Sequence, residues 1–171
     1  MPGIDFYQFK DCSCVTDEAL FGVIDKADST PVQVTTDRRL QWGTTIENPE
    51  RKTLLVLPVD KNVKIRKKDN ENNEEKLCDF LMRSHVDTAI LCFVELKDKK
   101  KSPLSEGIEQ IGTTINAYKL YHSVDCFQYK RAYIVNGRHP HVQSAQANIM
   151  RDFKRDFGFV LRMASNIQIP T

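Results

Sequence analysis

Apolar residues fall into short dense runs separated by polar gaps, the pattern of a chain that alternates between buried strands and amphipathic helices. Thr16, Asp17 and Glu18 form an acidic helix entry, and Ala19, Leu20, Val23 and Ile24 follow at helical spacing, so a helix is expected over residues 16–26. Segments 31–36 and 39–46 are rich in Val, Thr and Trp, carry little helical period and read as extended. Asn48-Pro49 breaks that pattern. Residues 53–59 (TLLVLPV) are an almost unbroken apolar run, as an inner strand requires, with Pro58 at its end or at a bulge. Residues 63–66 extend or pair with it.

The stretch 67–75 has no apolar member and predicts a solvated loop. Beyond it, residues 76–82 (KLCDFLM), a polar turn over 83–88 and residues 89–97 (AILCFVELK) read as strand, turn, strand. Pro103 is a favourable first-turn residue, and Leu104, Ile108, Ile111, Ile115 and Tyr118 follow at alternating steps of four and three. This is the clearest helix in the chain. Residues 131–136 form a strand ending at Gly137; Ala147, Met150, Phe153 and Phe157 give a last helix stopped by Gly158; residues 159–163 are extended. No internal repeat is present.

A length of 171 residues with 40% hydrophobic content suits one core, so a single domain over 1–171 is expected, with the strands of 30–60 as an N-terminal extension. No apolar run approaches the ~18 residues of a membrane span, which excludes a membrane partner of that kind. The start, Met1-Pro2-Gly3-Ile4-Asp5-Phe6, has neither the basic nor the apolar part of a secretory signal, so a cytoplasmic protein is expected. The cysteine count is odd, and Cys78 and Cys92 lie in apolar segments, which fits reduced thiols. With 25 basic and 23 acidic residues the net charge is +2, too little to hold nucleic acid by bulk charge. Any polyanion site must therefore be local.

Side chains alternate across a strand, so Ala89, Leu91, Phe93, Glu95 and Lys97 share a face. A carboxylate at the end of an apolar strand needs a partner, which Lys97 offers. Asp79 lies on the preceding strand. If the two strands pair as a hairpin, Asp79 approaches Glu95 and two carboxylates share one ammonium at the sheet rim. Two adjacent carboxylates repel unless a cation sits between them, and Mg²⁺ characteristically uses one or two protein carboxylates plus water and substrate phosphate.

Asp79, then Glu95-Leu96-Lys97 after an apolar strand, then a helix carrying Gln110, resembles the PD-(D/E)XK nuclease superfamily. The resemblance implies an α/β restriction-endonuclease-like core: a mixed central sheet flanked by helices, built as helix, three-stranded antiparallel meander, crossover helix and further strand. Motif residues lie between about 76 and 136. Cys78 stands where the family name has Pro, and Thr114 where one nuclease branch has Tyr. The resemblance implies a metal-dependent nuclease, an endo- or exodeoxyribonuclease, that hydrolyses phosphodiesters. DNA is preferred to RNA because the family mostly acts on DNA. Mg²⁺ or Mn²⁺ would be held by Asp79, Glu95 and the Leu96 carbonyl, and Lys97 would act as general base or charge stabiliser with Gln110 beside it. Glu18 is the candidate for the further metal partner that the family carries on its first helix. Lys99, Lys100, Lys101, Lys130 and Arg131, with Lys67 and Lys68, are candidate phosphate contacts.

Blander readings stand beside these. An E-x-K triplet is expected by chance roughly once in such a chain, and Glu74-Glu75-Lys76 is a second one; only the context of Glu95 separates them. Asp79, Glu95 and Lys97 also suit a strand-end ion pair plus a turn acid. The alternative function is a non-catalytic module of the same fold that binds nucleic acid or a protein. Cys12-x-Cys14 and His139-Pro140-His141 lack zinc-ligand spacing and are rejected as a metal site. A chain this short leaves little room for a recognition domain, so low specificity, a homodimer or a partner protein is expected.

Overall fold

The computed structural model describes residues 3–171 except 27, 68, 70, 71, 98–103 and 137–143. A 3-10 helix, Phe6–Cys12, opens the chain and is followed by β1 (Cys14–Thr16), β2 (Leu20–Ile24), β3 (Gln33–Thr35), β4 (Thr44–Glu47) and β5 (Leu54–Pro58). Then come β6 (Phe80–Ser84), β7 (Ile90–Lys97), helix α1 (Leu104–Lys119), β8 (Tyr129–Asn136), helix α2 (Ser144–Phe157), β9 (Val160–Ala164) and β10 (Asn166–Gln168). The fold is α/β, with a six-stranded sheet in the order β1-β5-β6-β7-β8-β9 and a four-stranded sheet in the order β10-β4-β2-β3. The large sheet is mixed. β5, β6 and β7 run as an antiparallel meander, α1 crosses over, and β8 lies parallel to β7, with β9 parallel beyond it.

Alternation along the central strands sends apolar side chains to both faces, which is why these runs are nearly continuous in sequence. Leu81, Leu91, Phe93, Ala132, Ile134 and Leu161 meet Ile111, Ile115 and Tyr118 of α1, Phe153 of α2 and Phe6. Phe80, Met82, Ile90, Cys92, Val94, Tyr133 and Val135 meet Phe21, Val23, Ile46 and Ile167 of the second sheet. Gly158, at φ +76, ends α2 in the left-handed conformation that its predicted helix-stop role requires. All five cysteines are free. Among the described residues no helix is long and apolar enough to cross a membrane.

Several local expectations are corrected. Residues 16–26 hold no helix: Leu20–Ile24 is a strand between β3 and β4, because cross-strand pairing and burial of Phe21 and Val23 outweigh a weak helical period. The Trp42 ring closes over Gly22 so tightly that a Cβ there would clash with Trp42 Cδ2 and Cγ. Of segment 39–46 only the end joins β4, since Leu40 N–H turns back to Asp37 O at 3.2 Å and the Trp42 indole donates to the same carbonyl at 2.9 Å. In 63–66 only Arg66 bridges, to Glu74, because Val63 N–H folds back to Val59 O. Within 30–60, β5 is the first strand of the central meander. β6 starts later than expected, at Phe80, because Cys78 N–H goes to Thr114 Oγ1 rather than to a neighbouring strand. Arg83 and Ser84 belong to β6 rather than to the turn, and the Arg83 guanidinium lies between the rings of Tyr7 and Phe127, 5.3 and 5.6 Å from their centroids. Pro103, Gly137, His139 and His141 lie outside the described residues.

Replacing Gly22 by Ala is expected to expel the Trp42 ring and destabilise the protein by about 1–3 kcal/mol, the usual cost of overpacking. Urea unfolding and a shift in the emission of this lone tryptophan check it.

Candidate active site

The register Phe80↔Val94 continues outward so that Asp79 stands opposite Glu95 at the end of the meander. Both are buried, with 9% of Asp79 and 4% of Glu95 exposed. Asp79 Oδ2 accepts the Leu96 N–H at 2.6 Å. The N–H and C=O of a strand residue leave on the same side, so the Leu96 carbonyl faces the β6 edge as well. Glu95 Oε1 pairs with Lys97 Nζ at 3.0 Å, and Lys97 Nζ donates to Gln110 Oε1 at 2.9 Å. Glu106 Oε2 stands 3.9 Å from the same ammonium and Oε1 pairs with Lys76 at 3.0 Å.

Helix α1 is bolted to this end of the sheet. Gln110 Nε2 donates to Leu77 O at 3.3 Å, while Thr114 Oγ1 donates to Gln110 O at 2.7 Å and accepts Cys78 N–H at 2.8 Å. These bonds fix the Gln110 amide so that its oxygen meets the lysine. Outside them lies a cleft of about 240 Å³, with Lys67, Glu75 and Lys76 on one wall and Glu106, Glu109 and Gln110 on the other.

Electrostatically the site is unbalanced. Burial pushes Asp79 up to about 7, against the Leu96 N–H, with the charges of Asp25 and Asp60 adding to the rise. Burial and then the Asp79 charge push Glu95 up to about 8, against the pull of Lys97. Glu95 Oε2 is buried and has no hydrogen-bond partner, a costly state for a carboxylate oxygen. When both acids are ionised, Lys97 offsets the charge of Glu95, and Asp79 has the Leu96 N–H as its hydrogen-bond donor. Among the described residues no three His, Cys, Asp or Glu are grouped to hold a metal by themselves. The orphaned Oε2 beside a second carboxylate fits a small oxygen-liganded cation that takes two protein carboxylates and completes its shell with water or phosphate.

Asp79, Glu95, Lys97 and Gln110 are thus brought together, with Leu96 giving its backbone N–H to Asp79. Lys130 and Arg131 are not: they pair with Leu91 and Cys92, three to four residues back along the strand from Ile134, the partner of Glu95, or roughly 10–13 Å. Arg131 also shares a face with Tyr133, across the sheet from Glu95, and stacks 4.2 Å from the Tyr129 ring. Glu18 sits on no helix; it is exposed and faces Arg51 at 4.0 Å. Lys99, Lys100 and Lys101 lie outside the described residues. In the second triplet, Lys76 is exposed and tied to Glu106. Sequence reasoning missed Asp60, Glu106, Gly107 and the tethering role of Thr114. Asp60 follows the apolar run of β5 as Glu95 follows that of β7, and Gly107 and Thr114 lie three and four residues from Gln110, signals that were present.

No protein-family model, curated protein or solved structure matches the chain.

Both carboxyls have folded pKa values above the unfolded ~4, so the folded state holds their protons more tightly. Stability from them is complete below pH ~4 and is lost as pH rises through about 7 and about 8. Without divalent cation, the urea midpoint is expected to fall between pH 5 and pH 8.5, and Asp79→Asn to flatten that fall; a midpoint that rises over this range contradicts the electrostatic account.

Proposed function

We propose that the protein is a divalent-cation-dependent nuclease of the restriction-endonuclease-like class, acting on DNA in preference to RNA. The observation that carries this reading is the pair of buried carboxylates, Asp79 and Glu95, facing each other at the end of the meander with Lys97 against one of them and an unpartnered oxygen on that same residue. The succession of antiparallel meander, crossing helix and parallel strand supports it, with the 3-10 helix Phe6–Cys12 in the place of a first helix.

Asp79 and Glu95, with the Leu96 carbonyl, are the groups that would hold Mg²⁺ or Mn²⁺. When bound, such an ion neutralises the scissile phosphate and makes water a better nucleophile at neutral pH. Lys97 places a fixed ammonium where negative charge develops on the phosphoryl oxygens, and it positions the attacking water. Gln110 aims that ammonium through its Oε1 while its Nε2 is anchored to Leu77 O. A short chain of this kind relies on low sequence specificity, a second copy or a partner protein.

The near-complete burial of both acids favours a second reading, a module of the same architecture that binds nucleic acid or protein without cutting. Metal titration separates the two. The nuclease reading expects Mn²⁺ to bind and to be lost in Asp79→Asn, whereas a binding module retards a labelled duplex or partner without metal.

With Mg²⁺ or Mn²⁺ present, single- or double-stranded DNA is expected to be cut. Glu95→Ala and Lys97→Ala should each lower the rate by about 100-fold or more while circular dichroism stays unchanged. Uncut DNA and RNA, or variants as active as the parent, rule the nuclease out.

A further inference from the structure

Gly107 is the fourth residue of α1, three residues before Gln110, and is buried. A Cβ there would lie 2.8 Å from Lys97 Cε, and 3.5 Å from both Glu95 Cγ and Ile134 Cδ1. Carbon atoms pack best at about 3.5–4.0 Å, so two of these contacts are ordinary and the one with the lysine stem is not. Glycine is among the poorest helix formers, and local propensity gives no reason for it in the interior of a well-patterned helix. The passage of Lys97 does. Gly107, Gln110 and Thr114 recur at helical spacing on the face turned toward Leu77, Cys78, Glu95 and Lys97. Gly112 on the same helix is equally tight, but against another neighbour: its Cβ would come within 2.6 Å of the Phe157 ring of α2.

We propose that Gly107 is a positioning residue for Lys97. Its bare Cα leaves the gap through which the lysine stem passes beneath α1, so that one ammonium reaches Glu95 and Gln110 together. The catalytic consequence rests on the nuclease reading; the steric coupling does not.

A double-mutant cycle in urea, run without metal, tests the coupling directly. Gly107→Ala is expected to lower the unfolding midpoint of the parent. In a Lys97→Ala background the clashing atoms are gone, and the same change should raise the midpoint, with a gain of about fivefold in the folding equilibrium constant from helix propensity alone. Gly112→Ala should lower the midpoint equally in both backgrounds. Should Gly107→Ala not fold by itself, recovery of folding in the double variant is the same coupling in stronger form. If Gly107→Ala has the same effect with and without the lysine, or folds in neither background, the glycine serves backbone packing only and the proposal is wrong. In cleavage assays Gly107→Ala is expected to lower kcat roughly 100-fold with KM unchanged, as a small misplacement of a reacting group does. A parent that cuts nothing removes the nuclease reading, and the urea cycle still decides the role of Gly107.

Discussion

Two carboxylates held opposite each other in the dry end of a β-meander, with one ammonium against the second of them, set the terms for everything around this site. Charge buried in this way is destabilising unless it is paired, and here the pairing is incomplete: Lys97 neutralises one oxygen of Glu95 and leaves the other without a partner. The surroundings are built to hold that arrangement rather than relieve it. Leu96 gives Asp79 a backbone hydrogen bond, Gln110 holds the lysine, and Thr114 joins the helix backbone to Cys78. A site that stores unfavourable charge in a rigid setting gains stability from whatever cation or proton reaches it.

Rigidity comes from the sheet. Each central strand is covered on both faces, by α1 and α2 on one side and by the four-stranded sheet on the other. A strand packed this way cannot shift register without moving a whole row of apolar side chains to the wrong environment. Asp79 and Glu95 therefore face each other because Phe80 and Val94, one step inward, are locked in the core beneath the second sheet. At the far end of the same face, Arg83 lies between Tyr7 and Phe127, and the Tyr7 and Tyr118 hydroxyls meet at 2.6 Å, pinning the N-terminal 3-10 helix to the C-terminal part of α1. The helix that carries Gln110 is thus fixed at both ends.

Positive charge is distributed unevenly with respect to the site. Lys67 and Lys76 border the cleft beside Gln110, where Glu75, Glu106 and Glu109 offset them, whereas Lys130 and Arg131 stand toward the other end of the sheet, with Arg131 committed to Tyr129. Basic residues close in sequence to a strand of the core are not thereby close to its carboxylate end, because the direction and register of the strand decide which end they occupy.

Read alone, the sequence determined the strongly patterned elements: the apolar runs of β5 and β7, the four-and-three spacing of α1, the strand of β8, the helix stop at Gly158, and the common face of Glu95 and Lys97. Those features are written in neighbours one to four residues apart, which is the range over which periodicity is expressed. Only tertiary structure made residues 20–24 a strand, since their helical spacing was overruled by pairing with β3 and β4 and by the Trp42 ring on Gly22. It alone brought Asp79 to Leu96 across 17 residues and Cys78 to Thr114 across 36, and gave Gly107 and Thr114 their work. Such contacts depend on how distant segments fill a shared interior, and no local pattern records that.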